Sequence, residues 1–193
     1  VWTVRGQLLW EPSPAVSFRL IADYSERDEE CCAARNYNPQ RLNGTGAALP
    51  QGTNSVINSL GGYGPGGLAA LGSGVIDNDA RFGFANRGYD QIVEDQGVSG
   101  ELNWDIGDVT LTSVTAWRDW SYLQGQDADF TAADILFRDS STGDGFGFDI
   151  LTQEFRLSGV NGKLDWLIGA FYADETLDRV DTFRMGSQYQ DYM

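Results

Sequence analysis

The stretch Phe148–Tyr172, FDILTQEFRLSGVNGKLDWLIGAFY, has two segments of alternating character around Val160-Asn161-Gly162-Lys163. Asn-Gly is the pair that most readily supplies positive φ at both central positions of a two-residue type I′ turn, so the stretch predicts an antiparallel hairpin. In its first arm Leu151, Phe155 and Leu157 fall on one face, and Thr152, Glu154, Arg156 and Ser158 on the other. The second arm puts Leu164, Trp166, Ile168, Ala170 and Tyr172 on one face, with Lys163 and Asp165 starting the opposite one. A hairpin with one apolar face must lay that face on something, either a protein core or lipid.

Composition narrows the choice. The chain has 193 residues, enough for one domain or two small ones. A net charge of -15, from 28 acidic against 13 basic residues, argues against nucleic acid or an anionic membrane surface as partner. No apolar run approaches the ~18 residues of a membrane helix, and no signal peptide precedes Val1. A β-barrel would leave neither trace, because lipid-facing and lumen residues alternate and keep mean hydropathy modest, here -0.32. A start without Met and a stop at Met193 in mid-pattern predict a piece of a longer protein.

The same alternation predicts six strands, near 1–10, 15–24, 97–104, 109–122, 149–159 and 163–175. Glu11-Pro12-Ser13-Pro14 is read as a tight connection, since proline lacks an N–H for a ladder. Long loops are expected over 25–90 and 123–147, rich in Gly, Asn, Ser and Asp, and 176–193 as an extension of the sixth strand into a third loop. Connections therefore run short, long, short, long, short. Short turns on one side and long loops on the other are the habit of an outer-membrane barrel.

The aromatics supply a second pattern. Trp10, Trp104 and Trp166 lie near short turns, while Trp2, Tyr24, Trp117, Trp120 and Tyr172 lie at the far strand ends. At ~3.3 Å per residue and a tilt of about 40°, the steps from Trp2 to Trp10 rise roughly 20 Å, close to the ~25 Å between the aromatic girdles of such barrels. The phases place Arg5, Arg19, Glu101, Arg118, Glu154 and Arg156 toward a lumen, with Trp117 outward. There they would form either a wall touching plug and substrate or cross-strand ion pairs that hold register.

The runs LTSVTAWRDW (111–120), DILTQEFRLS (149–158) and LDWLIGAFY (164–172) resemble the barrel strands of TonB-dependent outer-membrane receptors. The resemblance extends over most of the chain outside the two long loops. It implies an all-β fold, an antiparallel transmembrane barrel of about 22 strands as is usual for such transporters, of which this chain would supply about six as part of one barrel domain. It further implies a plug that recruits a TonB-type energy-coupling protein, a bacterial outer-membrane location, lipid as partner, and uptake of a scarce bulky solute such as a ferric siderophore, cobalamin or an oligosaccharide. The sequence departs from the family pattern in having no plug, no coupling peptide and no C-terminal aromatic strand signature.

Other motifs carry less. Cys31-Cys32 form a disulfide with each other or with an outside cysteine, or remain two thiols. Without His or a second cysteine pair, zinc is not expected, and no cofactor is indicated. The cluster Glu26, Asp28, Glu29, Glu30 and the pair Asp127, Asp129 lack the spacing and turn glycine of a calcium loop. Gly61–Gly67 has no Lys and no strand-to-helix context for a phosphate loop, and without His there is no Ser-His pair, so no catalytic residues are expected. Ligand-capture candidates are Trp120, Tyr122, Asp127 and Asp129, at the lip of the second long loop. Two other readings compete: a secreted carbohydrate-binding or adhesive β-sandwich, and a passive porin.

Overall fold

Period-two alternation over this much of the chain leaves little room for anything but strands, and a computed structural model, which describes residues 1–32, 56–57, 59–62 and 84–193, is all-β with antiparallel sheets. The strands are β1 (Trp2–Ser13), β2 (Val16–Glu30), β3 (Asp90–Ile106), β4 (Val109–Gln124), β5 (Gln126–Asp127), β6 (Leu136–Arg138), β7 (Gly145–Asn161), β8 (Leu164–Val180) and β9 (Arg184–Met185). Six of them form one sheet in the order β1-β2-β3-β4-β7-β8, and β5-β6-β9 form a second. The larger sheet is open among the described residues, with β1 and β8 as its two edges.

All six expected strands are present, but five of them run further than expected at the end away from the short turns, and β1 runs further toward its turn. β2 continues to Glu30, β3 begins at Asp90 and β7 at Gly145. The apolar alternation fades there while the backbone goes on pairing: Trp2 of β1 still faces Glu26 of β2. A ladder needs only N–H and C=O groups, so its extent is poorly marked by side-chain pattern. The expected break at Glu11-Pro12 is likewise corrected. The register slips by one residue between Trp10↔Phe18 and Ser13↔Val16, so the strand bulges past Pro12, as edge strands and bulges tolerate a residue that lacks an N–H.

Two of the three short turns carry one left-handed glycine, Gly107 at φ 65° and Gly162 at φ 65°. Asn161 is not at positive φ, so the expected type I′ turn, which needs two such residues, is not the one formed. The second expected loop, 123–147, holds β5, β6 and a 3-10 turn at Ser140–Thr142, and the C-terminal stretch adds β9 and a short helix at Tyr189–Tyr192.

The chain divides into two compact units. The first comprises Val1–Asp28, Ile92–Tyr122 and Gly145–Arg179; the second Glu29–Gln91, Leu123–Asp144 and Val180–Met193. Their packing differs in kind. In the second, Ile57, Ala133 and Ile135 form a small core covered by Leu60, Leu136, Tyr189 and Tyr192. In the first, Val93 is the one buried apolar side chain among the described residues.

What the first unit has instead of a core is two unlike faces. Register puts Trp2, Val4, Leu8 and Trp10 opposite Glu26, Tyr24, Leu20 and Phe18. The Phe18 ring lies against Gly100, which brings Val98, Leu102 and Trp104 to that side. Bonds from Gln96 to Asp119 and from Trp117 to Asp149 carry the face across β4 to β7, and the Trp166 indole lies over Gly159 on β8. Every residue expected in the aromatic girdles, Trp2, Trp10, Tyr24, Trp104, Trp117, Trp166 and Tyr172, therefore shares this face, except that Trp120 does not. Much of it is open to solvent: Trp10 is 60% exposed, Ile168 68% and Leu164 62%.

Candidate functional site

The opposite face of the first unit is built on ion pairs. Arg118 on β4 reaches Asp23 on β2 at 3.1 Å and also pairs with Asp95 on β3. Arg19 meets Glu101 at 2.7 Å, and Arg156 meets Glu154 at 3.1 Å. Arg5 stands opposite Asp23 in the β1–β2 register. Thus the six residues expected to point to a lumen lie together on one face, and five of them are paired there. Of the two roles offered for them, register-holding pairs are what the geometry contains. Each pair is partly solvated, so its contribution is about 1 kcal/mol or less.

Next to Arg118, two residues further along the same face of β4, comes an aromatic cluster. The Trp120 and Tyr122 rings are nearly parallel, 4° apart in plane with centroids 6.2 Å apart. Phe146, from the start of β7, leans on both, 5.1 Å from Trp120 and 4.9 Å from Tyr122. Because side chains alternate along a strand, Trp120 must share the face of Arg118 and not that of Trp117. Its expected place in the far girdle is corrected on that ground. Around Asp23 and Arg118 a pocket of about 200 Å³ is lined by Ser99, Ala116, Ile150 and Thr152, among others, and the three rings are not part of its lining. Trp120 and Tyr122 were legible as candidates. Phe146 was missed because it lies in what the sequence marks as loop, and Asp23 and Asp95 because a partner on another strand, two strands away for Asp23 and on the neighbouring strand for Asp95, leaves no local signal.

The other two candidates, Asp127 and Asp129, belong to the second unit and are committed to its backbone. Asp127 is fully buried, accepting from the amides of Asn86 at 2.9 Å and Phe130 at 3.1 Å. Asp129 accepts from the amide and hydroxyl of Thr131 through Oδ1, and from the amides of Ile135 at 3.2 Å and Leu136 at 2.9 Å through Oδ2. A capture role for this pair is therefore corrected: both carboxylates are turned inward to fold a loop, as short acidic side chains do at turns. The spacing Asp129-Phe130-Thr131 was the available signal for such a turn.

Burial pushes the Asp127 carboxyl above its usual range despite those amides. Burial also raises the Tyr89 hydroxyl to about 12, helped by the carboxylates of Asp127 and Asp129. Asp134 behaves oppositely. Burial raises it, but the amide and hydroxyl of Ser187 and the Arg87 guanidinium more than offset this and hold it at about 2.

No family model, curated protein or solved structure matches this chain. What the chain does has to be argued from its two faces and the cluster on one of them. Cys31 and Cys32, whose pairing was open, are bonded to each other, and Cys32 sits at φ 74°, a left-handed conformation unusual for a residue with a side chain.

Proposed function

We propose that this chain forms barrel wall and external loops of an outer-membrane receptor for TonB-coupled active uptake of a scarce bulky solute. One observation carries the reading: a six-stranded sheet whose apolar, aromatic-belted face is exposed while its other face is ion-paired. A face this large is not left in water by a soluble monomer. Lipid covers such a face without a second sheet, whereas a sandwich needs a second sheet of comparable size. The β5-β6-β9 sheet has strands of two and three residues, too small for that work.

The side-chain amide of Gln153, on the apolar face, is consistent with this setting. Gln153 donates to the Ser113 hydroxyl and the Val114 carbonyl and accepts from the Thr115 hydroxyl, so the group is satisfied within the sheet. In hydrocarbon that is a requirement, since no water is present to take the bonds. Closure would place further strands against the outer edges of β1 and β8. The energy coupling and the solute come from the family resemblance alone, and a passive porin would share the same wall.

The test is fractionation of the native protein followed by gel mobility before and after boiling. Recovery in the detergent-extracted outer membrane with heat-modifiable mobility is the expected result. Full solubility without detergent would overturn the reading and return the sandwich to first place.

A further inference from the structure

We propose that the polar face of the first unit binds a neutral saccharide, with sugar rings on Trp120, Tyr122 and Phe146 and hydroxyl groups at the Asp23–Arg118–Asp95 triad. The inference rests on the receptor reading for its setting and names the class of solute within it.

Three partly exposed rings within 4.9–6.2 Å of one another stand two residues along β4 from the ion pairs of Arg118. A ligand that suits both neighbours must be apolar on one side and hydrogen-bonding at its rim. A pyranose ring has this form: its C–H faces lie on aromatic rings while its hydroxyls point outward in the ring plane. The rim chemistry narrows the class further. Arg118 already holds both carboxylates, so the triad neither needs a cation nor has a spare one to offer an anion. A hydroxyl, which donates and accepts at once, can join an intact carboxylate–guanidinium pair without breaking it. Ser99 and Thr152 in the same pocket add two more groups of that kind.

Size and charge point the same way. Along β4 the row Ala116, Arg118, Trp120, Tyr122 advances by ~6.6 Å per side chain, an extended track suited to a chain of rings. The pocket at Asp23 and Arg118, about 200 Å³, lies below the ~300 Å³ at which drug-sized ligand sites begin and suits a small unit such as one ring. The charged side chains of this face balance, Arg5, Arg19, Arg118 and Arg156 against Asp23, Asp95, Glu101 and Glu154, which suits an uncharged ligand.

The experiment titrates the full-length protein, in a detergent without a sugar headgroup, with malto-, cello-, xylo- and manno-oligosaccharides and separately with an anionic ferric chelate. Tryptophan fluorescence and calorimetry give the affinities, and heat-modifiable mobility is read on every sample. The expected result is that one saccharide series binds, with affinity changed less than about twofold by salt, as for an uncharged ligand. Trp120→Ala should weaken it by about tenfold, and Trp120→Phe, which keeps a ring, by no more than about threefold. If heat-modifiable protein binds the ferric chelate and no saccharide, or binds neither, the proposal is overturned while the barrel reading stands. If a saccharide binds but Trp120→Ala leaves its affinity unchanged in folded protein, the assigned site is overturned. Loss of heat-modifiability in the parent protein would remove the receptor reading, and saccharide binding would then judge this site by itself.

Discussion

Arg118 on β4 donates to both carboxylate oxygens of Asp23 on β2, at 3.3 and 3.1 Å, across the intervening strand β3. The span is about two strand spacings, ~9.6 Å, which only a long side chain with a forked head can bridge. Asp95 on β3 stands between them and takes a second N–H. One guanidinium thus ties three consecutive strands on the polar face.

Removing it should leave two carboxylates facing each other. A double-mutant cycle of Arg118→Ala with Asp23→Ala is expected to return a coupling of about 0.5–1 kcal/mol, reduced by salt because the groups are partly exposed. Arg118→Lys should recover less than half of it. The readout is the temperature at which heat-modifiable mobility is lost; zero coupling in low salt would remove the triad as a stabilising feature.

The two faces should respond oppositely to charge. Leu20→Arg or Ile168→Arg places a cation on the apolar face and should block membrane assembly, at a cost of about 2–4 kcal/mol near the midplane. Thr152→Arg, or Arg19→Glu on the other face, should assemble. Equal tolerance at both pairs of positions would be incompatible with lipid on the apolar face.

Turn chemistry is testable at the β7–β8 hairpin. Gly162 sits at φ 65°, so Gly162→Ala should cost about 1–2 kcal/mol. Gly162→Asn should cost less, since Asn tolerates that conformation. Asn161→Ala should be nearly silent, because Asn161 is not left-handed; a larger loss there than at Gly162 would restore the two-residue type I′ turn.

In the second unit, stability should depend on acid. The folded pKa of Asp134, about 2, lies below its ordinary value of 3.8. Its contribution is therefore fully present above about pH 4 and is lost as the pH falls through about 2. Asp134→Asn should flatten that part of the curve by weakening the pairing with Arg87 and the bonds to Ser187. Hydrogen exchange at Ser187, measured between pH 4 and 2, would show whether it does.

Asp129 gives a way to separate folding from capture. Asp129→Ala strands the amides of Thr131, Ile135 and Leu136 and should cost about 2–3 kcal/mol, since bonds to a charged acceptor are the strong ones. Saccharide affinity of the protein that remains folded should be unchanged. An affinity loss without a stability loss would restore the capture role that the sequence suggested.

Period-two alternation by itself determined the six long strands and which residues share a face, because in a strand the side-chain direction follows from position alone. That is why the girdle residues Trp2 to Tyr172, and the six charged residues from Arg5 to Arg156, were legible and fell on opposite sides. The sequence also marked Trp120 and Tyr122, though with Trp120 on the wrong face. Only the tertiary structure decided what lies between distant strands: the Asp23–Arg118–Asp95 triad, Phe146 against the two rings, and the inward turn of Asp127 and Asp129. These depend on neighbours tens of residues away and on competition between backbone amides and solvent for a carboxylate. Neither leaves a period in the chain.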